Sequence, residues 1–349
     1  MRAALYEQHG GPLEIVEVPY PELPTGGVIL EVQANGICRS DWHAWMGHDP
    51  SIALPHVPGH EMAGTIVATD TDVEGFDVGD RVTVPFVLGC GACRECSSGN
   101  RQICDNQYQP GFSGFGAFAE FIALPYAAGN LVRLPENMTF EAAAGLGCRF
   151  STAYRAVVDQ GEVNEDSRVA VWGCGGVGLS AVMIASSLGA RVVAVDIDGT
   201  ALEIASEFGA SEIHLARNSP GDAEQVRELL DGGADVSIDA LGSTQTAASS
   251  SLSLAKRGRH IQVGLMIGEA ADPVVPMWKL HADEITLRGV HGMQASQYPP
   301  MLSMISQGIL SPEDLVTRTV TLQEGVEHLV SMDSFPGNGF VVINDFTVS

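Results

Sequence analysis

The sequence predicts two domains, one β-rich and one α/β with a doubly wound parallel sheet. A chain of 349 residues suits two domains better than one. Residues 2–35 alternate short apolar and polar runs broken by prolines and a glycine pair, which is typical of strands joined by tight turns. From about residue 150, strand-like and helix-like segments alternate instead. We therefore predict a mostly antiparallel β domain over 1–150, completed by about 292–349, and an α/β domain over 151–291.

The predicted β domain contains one short helix. Arg2–Leu5 has the composition of a strand, and Cys38–Met46 has that of a short helix. A loop punctuated by prolines follows, and Glu61–Ala68 returns to a strand. Val78–Val82 turns into a further strand. Because no regular strand–helix alternation occurs here, we expect antiparallel pairing.

The predicted α/β domain begins with a short apolar strand, Arg168–Trp172. A glycine turn then opens a helical stretch that ends near Leu188. Arg191–Val195 and Ala201–Phe208 repeat the strand–helix pair. Further strand-like segments, separated by helical stretches, cover 236–239, 260–264 and 285–288. Alternation at this spacing predicts parallel strands joined by crossover helices.

The composition limits the partners and the location of the protein. Asp and Glu number 43 against 18 Lys and Arg, a formal net charge of -25, which disfavours nucleic acid and anionic membranes as partners. This charge is consistent with solubility, including in a salty habitat. No signal segment opens the chain, and the glycines and serines within the apolar run Val169–Ala190 disfavour a membrane span. We expect a cytoplasmic protein whose seven cysteines are metal ligands or free thiols.

Four cysteines in a window of fifteen residues form the clearest motif: Cys90, Cys93, Cys96 and Cys104. Four thiols can enclose one tetrahedral Zn²⁺, and a closed shell leaves no position for a substrate, so we predict a structural zinc site. Disulfides and scattered core thiols are the alternatives, but cysteines two residues apart rarely reach disulfide geometry. A zinc-ribbon-like nucleic-acid module would show similar spacing, and the net charge disfavours it.

A glycine-rich turn lies between the first strand and the first helix of the α/β domain. Gly173, Gly175 and Gly178 fit the G-x-G-x-x-G pattern of dinucleotide-binding turns, in which the following helix presents free N–H groups to the phosphates. Asp196 closes the next strand, eighteen residues later, where it would bond ribose hydroxyls and repel a 2′-phosphate. We predict NAD rather than NADP, bound by this turn, which also includes Gly176 and Val177; a plain glycine turn with a surface acid is the alternative.

A second group of metal ligands lies outside the four-cysteine motif. Cys38 and His60 offer a thiolate and an imidazole, and Cys148 is the remaining unassigned cysteine, since Cys174 belongs to the glycine turn. Together they would make a Cys₂His shell with an open fourth position. Taken alone, a Cys and a His at the spacing of Cys38 and His60 are more often a buried thiol and a satisfied histidine than metal ligands.

A hydroxyl and an imidazole lie close to these ligands in the sequence. Ser40 and His43 are one helical turn apart and would therefore lie on one helix face. Beside a metal, the pair would provide a proton exit for an alcohol that is being oxidised.

These motifs closely resemble the zinc-dependent medium-chain alcohol dehydrogenases over essentially the whole chain. The cysteine motifs, the run Gly59–Gly64 and the glycine fingerprint stand in the order and spacing of that family. The resemblance implies a GroES-like catalytic domain, a Rossmann cofactor domain and an active site in the cleft between them. It also implies two zinc ions per chain, one catalytic and one structural, and a homodimer or homotetramer.

The resemblance also implies roles for single residues. Cys38, His60 and Cys148 match the catalytic zinc ligands, and Asp41 matches the outer carboxylate that orients the imidazole of His60. Glu61 is similar to the family's carboxylate near the metal, which can exchange with substrate or water on the zinc.

Further site residues follow from the same resemblance. Ser40 and His43 match the proton relay, and Arg39 matches a pyrophosphate contact. The residues that match the surroundings of the nicotinamide and the substrate are Thr152, Val177, Val263, Leu265 and Phe86, with Leu265 and Phe86 at pocket-lining positions.

Two positions depart from the family. Ala201 falls where the family has a lysine that contacts the ribose, and Phe340 falls where many members have an arginine near the cofactor.

The reaction that the resemblance implies is reversible oxidation of an alcohol to an aldehyde or ketone, with hydride transfer to NAD. A polyol dehydrogenase is the alternative within the superfamily, although Cys148 argues against its ligand pattern. Zinc-free quinone reductases lack both cysteine sets. A non-catalytic zinc and nucleotide binder is the alternative from another class, and such a binder would not need the Ser40–His43 pair.

Overall fold

A computed structural model describes residues 1–219, 221–334 and 337–347. The chain forms two compact units, Met1–Ser151 with Gly292–Ser349, and Thr152–His291. The first unit is therefore built from two separate stretches of chain. No helix among the described residues is long and apolar enough to cross a membrane.

The first unit is built mainly of strands. Its N-terminal stretch contains strands β1 (Arg2–Leu5), β2 (Glu14–Glu17), β3 (Val28–Gly36), β4 (Glu61–Thr69), β5 (Arg81–Thr83), β6 (Phe121–Leu124) and β7 (Val132–Arg133), and helices α1 (Arg39–Trp45), α2 (Arg94–Ser97), α3 (Phe140–Ala144) and α4 (Arg149–Arg155), which continues into the second unit.

The second unit alternates strands and helices. It contains strands β8 (Arg168–Trp172), β9 (Arg191–Asp196), β10 (Glu212–Leu215), β11 (Ala234–Asp239), β12 (Leu254–Gln262) and β13 (Thr286–Gly289), and helices α5 (Gly176–Ser187), α6 (Gly199–Glu207), α7 (Gly221–Leu229), α8 (Thr244–Leu252) and α9 (Met277–Asp283). The chain then returns to the first unit with α10 (Tyr298–Ser306), β14 (Val316–Thr321), α11 (Leu322–Val330) and β15 (Phe340–Asp345).

The sheet of the first unit joins the two stretches of chain. Its order is β14-β15-β3-β4-β5-β7, with β6 also paired to β3. All pairs are antiparallel except β14 with β15, which run parallel because α11 connects them. Gly36 at the end of β3 pairs with Glu61 at the start of β4. This register places the strand ends next to the segments that carry the predicted metal ligands.

The sheet of the second unit is parallel throughout, in the order β10-β9-β8-β11-β12-β13. Numbered along the unit, this is 3-2-1-4-5-6, the strand order of a Rossmann dinucleotide-binding fold. Neighbouring strands β8 and β9 end at Trp172 and Asp196. The glycine turn that follows β8 and the acid that ends β9 therefore lie at the same edge of the sheet. The predicted fold class of this part of the chain is confirmed.

Candidate active site and metal centres

The four cysteines of the 90–104 segment converge on one point. Their sulfur atoms all lie within 4.8 Å of one another, and none is in a disulfide. The sulfurs of Cys93 and Cys104 are 3.6 Å apart. With a Zn–S distance of about 2.3 Å, the edge of a tetrahedral shell is about 3.8 Å, so the cluster has the dimensions of a Cys₄ site. Backbone N–H groups of Ala92 and Cys93 lower the pKa of Cys90 to about 6, which favours the thiolate that a metal binds.

Three side chains from distant parts of the first unit meet in a second cluster. Cys38 is the residue before α1, His60 precedes β4, and Cys148 precedes α4. Their ligand atoms, with an oxygen of Glu61, lie within 4.8 Å of one another. The structure therefore brings together the ligands predicted for a catalytic metal and places beside them Glu61, the carboxylate predicted to lie near that metal.

One buried carboxylate, that of Asp41, fixes two of these ligands. Its Oδ1 accepts from Nδ1 of His60 at 2.7 Å and from the backbone N–H of Gly59 at 3.0 Å. Its Oδ2 accepts from the backbone N–H of Cys38 at 3.1 Å. Asp41 and His60 are 0% and 1% exposed. The Asp41 bond requires a proton on Nδ1, so in the neutral imidazole Nε2 carries the lone pair.

The remaining nitrogen of His60 tests whether this cluster fits a metal. Nε2 is buried and, by distance and angle, makes no hydrogen bond among the described residues, although it interacts electrostatically with the nearby thiol of Cys38. An unpaired buried nitrogen is costly unless a ligand satisfies it. Two sulfurs and this nitrogen are a donor set that Zn²⁺ binds, so the residues fit that metal.

The electrostatics of the cluster favour a deprotonated sulfur. Hydrogen bonding from Cys148, opposed by burial and helped by His60, lowers the pKa of Cys38 well below its usual range. The same contact with Cys38, together with burial, raises the pKa of Cys148. Burial lowers the pKa of His60, but the attraction of Asp41 outweighs it and the net shift is upward. Cys38 is thus the thiol most readily available as a thiolate.

Glu61 is paired with the residue that follows Cys148. Its carboxylate is fully buried and accepts hydrogen bonds from the backbone and guanidinium of Arg149. Burial raises the pKa of Glu61, and the guanidinium opposes that rise. Arg149 also stacks on the ring of Phe340, 4.0 Å from its centre. Phe340 stands where many members of the family that the sequence resembles have an arginine. In this chain its ring lies against the guanidinium of Arg149, an arginine at a different position.

The predicted relay residues lie on α1, but the described hydrogen bonds lead elsewhere. The hydroxyl of Ser40 is 3.7 Å from the sulfur of Cys38. Nδ1 of His43 lies 2.9 Å from Nδ1 of His48, an exposed side chain, and among the described residues no hydrogen bond joins His43 to Ser40. Burial, with the nearby charges of Arg39 and His48, lowers the pKa of His43 to about 4. His43 is therefore neutral at pH 7 and has a route to the surface through His48.

The glycine turn has the close contacts that a dinucleotide site requires. A Cβ on Gly178 would lie 1.8 Å from the backbone oxygen of Gly173, so this glycine permits the contact between helix and strand. A Cβ on Gly175 would meet nothing within 4 Å, which leaves space for a ligand at the N-terminus of α5. The carboxylate of Asp196 accepts from the backbone N–H groups of Cys174 and Asp198, at 2.6 and 2.9 Å, which fixes its orientation.

The other predicted cofactor residues are spread over both units. Gly176 and Val177 begin α5, Thr152 is a buried residue of α4, and Val263 donates its N–H to Asp239 after β12. Leu265, beyond β12, is 52% exposed.

Arg39 and Phe86 lie in the first unit. The guanidinium of Arg39 bonds the backbone oxygen of Met332 and stacks on Trp42. The ring of Phe86 lies edge-on to His60, as does that of Phe112, with ring centres 6.1 and 5.2 Å from the imidazole. Phe86 is therefore near the second cluster, whereas the indole of Trp42 belongs to the hydrophobic core.

Sequence reasoning missed two residues, Arg149 and His48. Arg149 immediately follows a predicted ligand in a chain with few basic residues, and that position was a signal that it has a specific role. His48 lies five residues after His43, a spacing that does not place two side chains on one helix face. Its contact depends on the turn after α1 and could not be read from periodicity.

Comparisons with known proteins agree with this geometry. The family description "Alcohol dehydrogenase GroES-like domain" matches residues 24–136, and "Zinc-binding dehydrogenase" matches residues 176–307. A NAD-dependent alcohol dehydrogenase of Sulfurisphaera tokodaii is 31% identical, with 98% of this chain and 99% of that protein covered. A sorbitol dehydrogenase of Halalkalibacterium halodurans is 31% identical, with 93% and 94% covered. The crystal structure of an alcohol dehydrogenase from Thermus sp. ATN1 has a TM-score of 0.88 at 29% identity, covering 99% and 100% of the two chains.

Two alanine substitutions should separate the roles of the glycines. Gly178→Ala should lower the free energy of unfolding by about 1–3 kcal/mol, because the new methyl group overlaps the backbone oxygen of Gly173. Gly175→Ala should change the free energy of unfolding by less than about 1 kcal/mol, because its methyl group would meet no protein atom within 4 Å. It should weaken NADH binding about tenfold or more, because the methyl group would fill the space in which the pyrophosphate approaches the backbone. Denaturant melts and NADH fluorescence titrations measure the two effects. Unchanged NADH affinity in Gly175→Ala would contradict the assignment of this turn.

Proposed function

We propose a reaction from one premise: the chain belongs to the zinc-dependent medium-chain dehydrogenase/reductase family. The protein oxidises an alcohol reversibly to an aldehyde or ketone, with NAD as the hydride acceptor. Residues 1–150 with about 292–349 serve as the catalytic domain, and residues 151–291 as the NAD domain. Names of relatives that include NAD-dependent alcohol dehydrogenases support the reaction class.

The observation that carries the proposal is the buried, unpaired Nε2 of His60 between two thiols. Asp41 bonds Nδ1 of His60 and so leaves Nε2 as the imidazole nitrogen available to a metal, in a cluster whose ligand atoms lie within 4.8 Å of one another. Three protein ligands are the number that a catalytic zinc site uses, whereas the Cys₄ cluster is a complete shell. We therefore assign one zinc to each cluster, catalytic and structural respectively.

The bound groups would supply the reactive chemistry: the zinc a Lewis acid that stabilises negative charge on the substrate oxygen, and NAD the acceptor of a hydride. The chain's own residues bind and orient the substrate, and they remove its hydroxyl proton. Ser40 lies beside Cys38 and is placed to take the hydroxyl proton of the substrate. His43, one helical turn from Ser40 on α1 and neutral because its pKa is about 4, accepts that proton and passes it to His48, whose Nδ1 lies 2.9 Å away.

The cofactor preference follows from Asp196. Its carboxylate stands at the end of β9, where it would bond ribose hydroxyls and repel a 2′-phosphate, and we propose that the protein uses NAD. Gly173, Gly175 and the N-terminus of α5 hold the pyrophosphate. A cytoplasmic location and a homodimer or homotetramer remain predictions from the sequence.

A polyol is the second candidate substrate. A sorbitol dehydrogenase is among the relatives, so the reaction class alone does not decide the substrate. Phe86 and Phe112 beside His60 favour an apolar alcohol, because their rings offer no hydrogen bonds to the further hydroxyls of a polyol.

Turnover tests the reaction directly. Incubated with primary, secondary, benzylic and polyol alcohols, the protein should reduce NAD, and NADP far more slowly, with the highest kcat/KM on apolar alcohols. Cys148→Ala should be inactive and lose the zinc of its own cluster alone, whereas Cys174→Ala, which removes a thiol outside both clusters, should keep the zinc content of the original protein. Absorbance of NADH and zinc analysis give the readouts. A zinc-loaded protein that turns over no alcohol would contradict the proposal and favour a non-catalytic binder.

The relay predicts a second kinetic effect. His43→Gln should slow alcohol oxidation roughly tenfold or more at neutral pH, because the proton loses its acceptor, with zinc content unchanged. Added imidazole buffer should restore part of the rate. His48→Gln should have a smaller effect, since His48 is exposed and water can replace it. Rates of His43→Gln equal to those of the original protein across pH 6–9 would remove His43 from the relay.

A further inference from the structure

Glu61 poses a problem for the proposed function, on which this inference rests. Its carboxylate lies within 4.8 Å of the atoms of Cys38, His60 and Cys148 that would bind the metal. Carboxylates bind Zn²⁺ readily, and a fourth protein ligand would close the shell to substrate. Something in the structure must decide whether Glu61 joins the metal.

Arg149 occupies the hydrogen-bonding capacity of Glu61. Oε1 accepts from the backbone N–H and the Nε of Arg149 at 3.0 and 2.9 Å. Oε2 accepts from Nε at 3.0 Å and from Nη2 at 2.5 Å. Three N–H groups of Arg149 make these four contacts, because the single hydrogen of Nε is shared between the two oxygens, so one residue holds both oxygens of Glu61. To bind the metal, Glu61 would have to give up at least one charge-assisted bond.

The surrounding backbone fits this pair closely. A Cβ on Gly36 would lie 2.3 Å from Oε2 of Glu61 and 2.9 Å from Nη2 of Arg149, so the pair fits only because position 36 has no side chain. On its other side the guanidinium stacks on Phe340, 4.0 Å from the ring centre. A Cβ on Gly145 would in turn overlap that ring, at 2.4 Å. The side chains of Arg149 and Glu61 are only 8% and 0% exposed.

We propose that Arg149 is a positioning residue that keeps the Glu61 carboxylate out of the metal's coordination shell, so that the fourth position of the Cys38–His60–Cys148 site stays open to substrate. Arg149 follows Cys148 directly, so the same short segment supplies a ligand and restrains a competing one. Arg149 acts by fixing where the Glu61 carboxylate lies, and this role requires no change in the charge of the carboxylate.

Cobalt-substituted protein tests the proposal without turnover. Free imidazole binds an open metal position and shifts the visible bands of Co²⁺, so a titration reports whether the position is available; the closed Cys₄ site should not respond. Glu61→Gln should bind imidazole within about threefold of the original protein, because Glu61 is already outside the shell. Binding strengthened tenfold or more in Glu61→Gln would mean that Glu61 occupies the position, and would overturn the proposal.

Releasing the carboxylate should have the opposite effect. Arg149→Gln should weaken imidazole binding about tenfold or more, because the freed Glu61 takes the fourth position. The double variant Arg149→Gln/Glu61→Gln should bind imidazole like the original protein, since no carboxylate remains to compete. If Arg149→Gln binds imidazole as the original does, the proposal is wrong. If Arg149→Gln fails to fold, Glu61→Gln still decides whether the carboxylate lies outside the shell, and strengthened imidazole binding there would overturn the proposal.

A further variant separates this inference from the proposed function. Cys148→Ala removes a ligand, so the imidazole-dependent shift should disappear. If the shift survives unchanged in Cys148→Ala, the assigned metal site and the proposed function fail. If it disappears there but Arg149→Gln matches the original protein, only the role of Arg149 fails.

Discussion

The second cluster depends on one buried carboxylate. Asp41 lies in the first turn of α1 and accepts three hydrogen bonds, from the imidazole of His60 and from the backbone of Cys38 and Gly59. It therefore joins the start of a helix to the segment before β4, and holds a sulfur and a nitrogen at the same point. A buried carboxylate is costly unless it is fully paired. Removing any one of these three donors would therefore leave the charge of Asp41 partly uncompensated and destabilise the whole arrangement.

Glycines let the backbone approach this cluster closely. Gly59, next to His60, has φ +110°, and a Cβ there would lie 2.7 Å from the backbone nitrogen of Phe118. A Cβ on Gly64 would lie 2.2 Å from the backbone oxygen of Glu31 on the neighbouring strand. Gly36 makes room for the Glu61–Arg149 pair. These glycines have no chemistry of their own, but each fixes how near a strand or loop can lie to the metal ligands.

The sequence was sufficient for features that depend on local pattern. The parallel sheet, its glycine turn and the four-cysteine set follow from periodicity and spacing, and the structure gives β8 the predicted bounds, Arg168–Trp172. The set of Cys38, His60 and Cys148 was reached by assigning the remaining cysteines and by the family resemblance. The predicted helix Cys38–Met46 runs over Arg39–Trp45, because Cys38 and Met46 are its flanking caps. The partners of Glu61 and His43 could not be predicted in this way. Arg149 is 88 residues from Glu61, and their contact depends on the tertiary packing that brings the start of α4 to the start of β4.

The zinc affinity of an Asp41→Asn variant tests the account most directly. The amide is the same size but cannot accept all three hydrogen bonds, so His60 and Cys38 lose their common anchor. Zinc titrations against a competing chelator should show binding about 10- to 100-fold weaker at the site of Cys38, His60 and Cys148, with the Cys₄ site unchanged. Equal affinities for Asp41→Asn and the original protein would contradict the account, because the ligands would then hold their positions without Asp41.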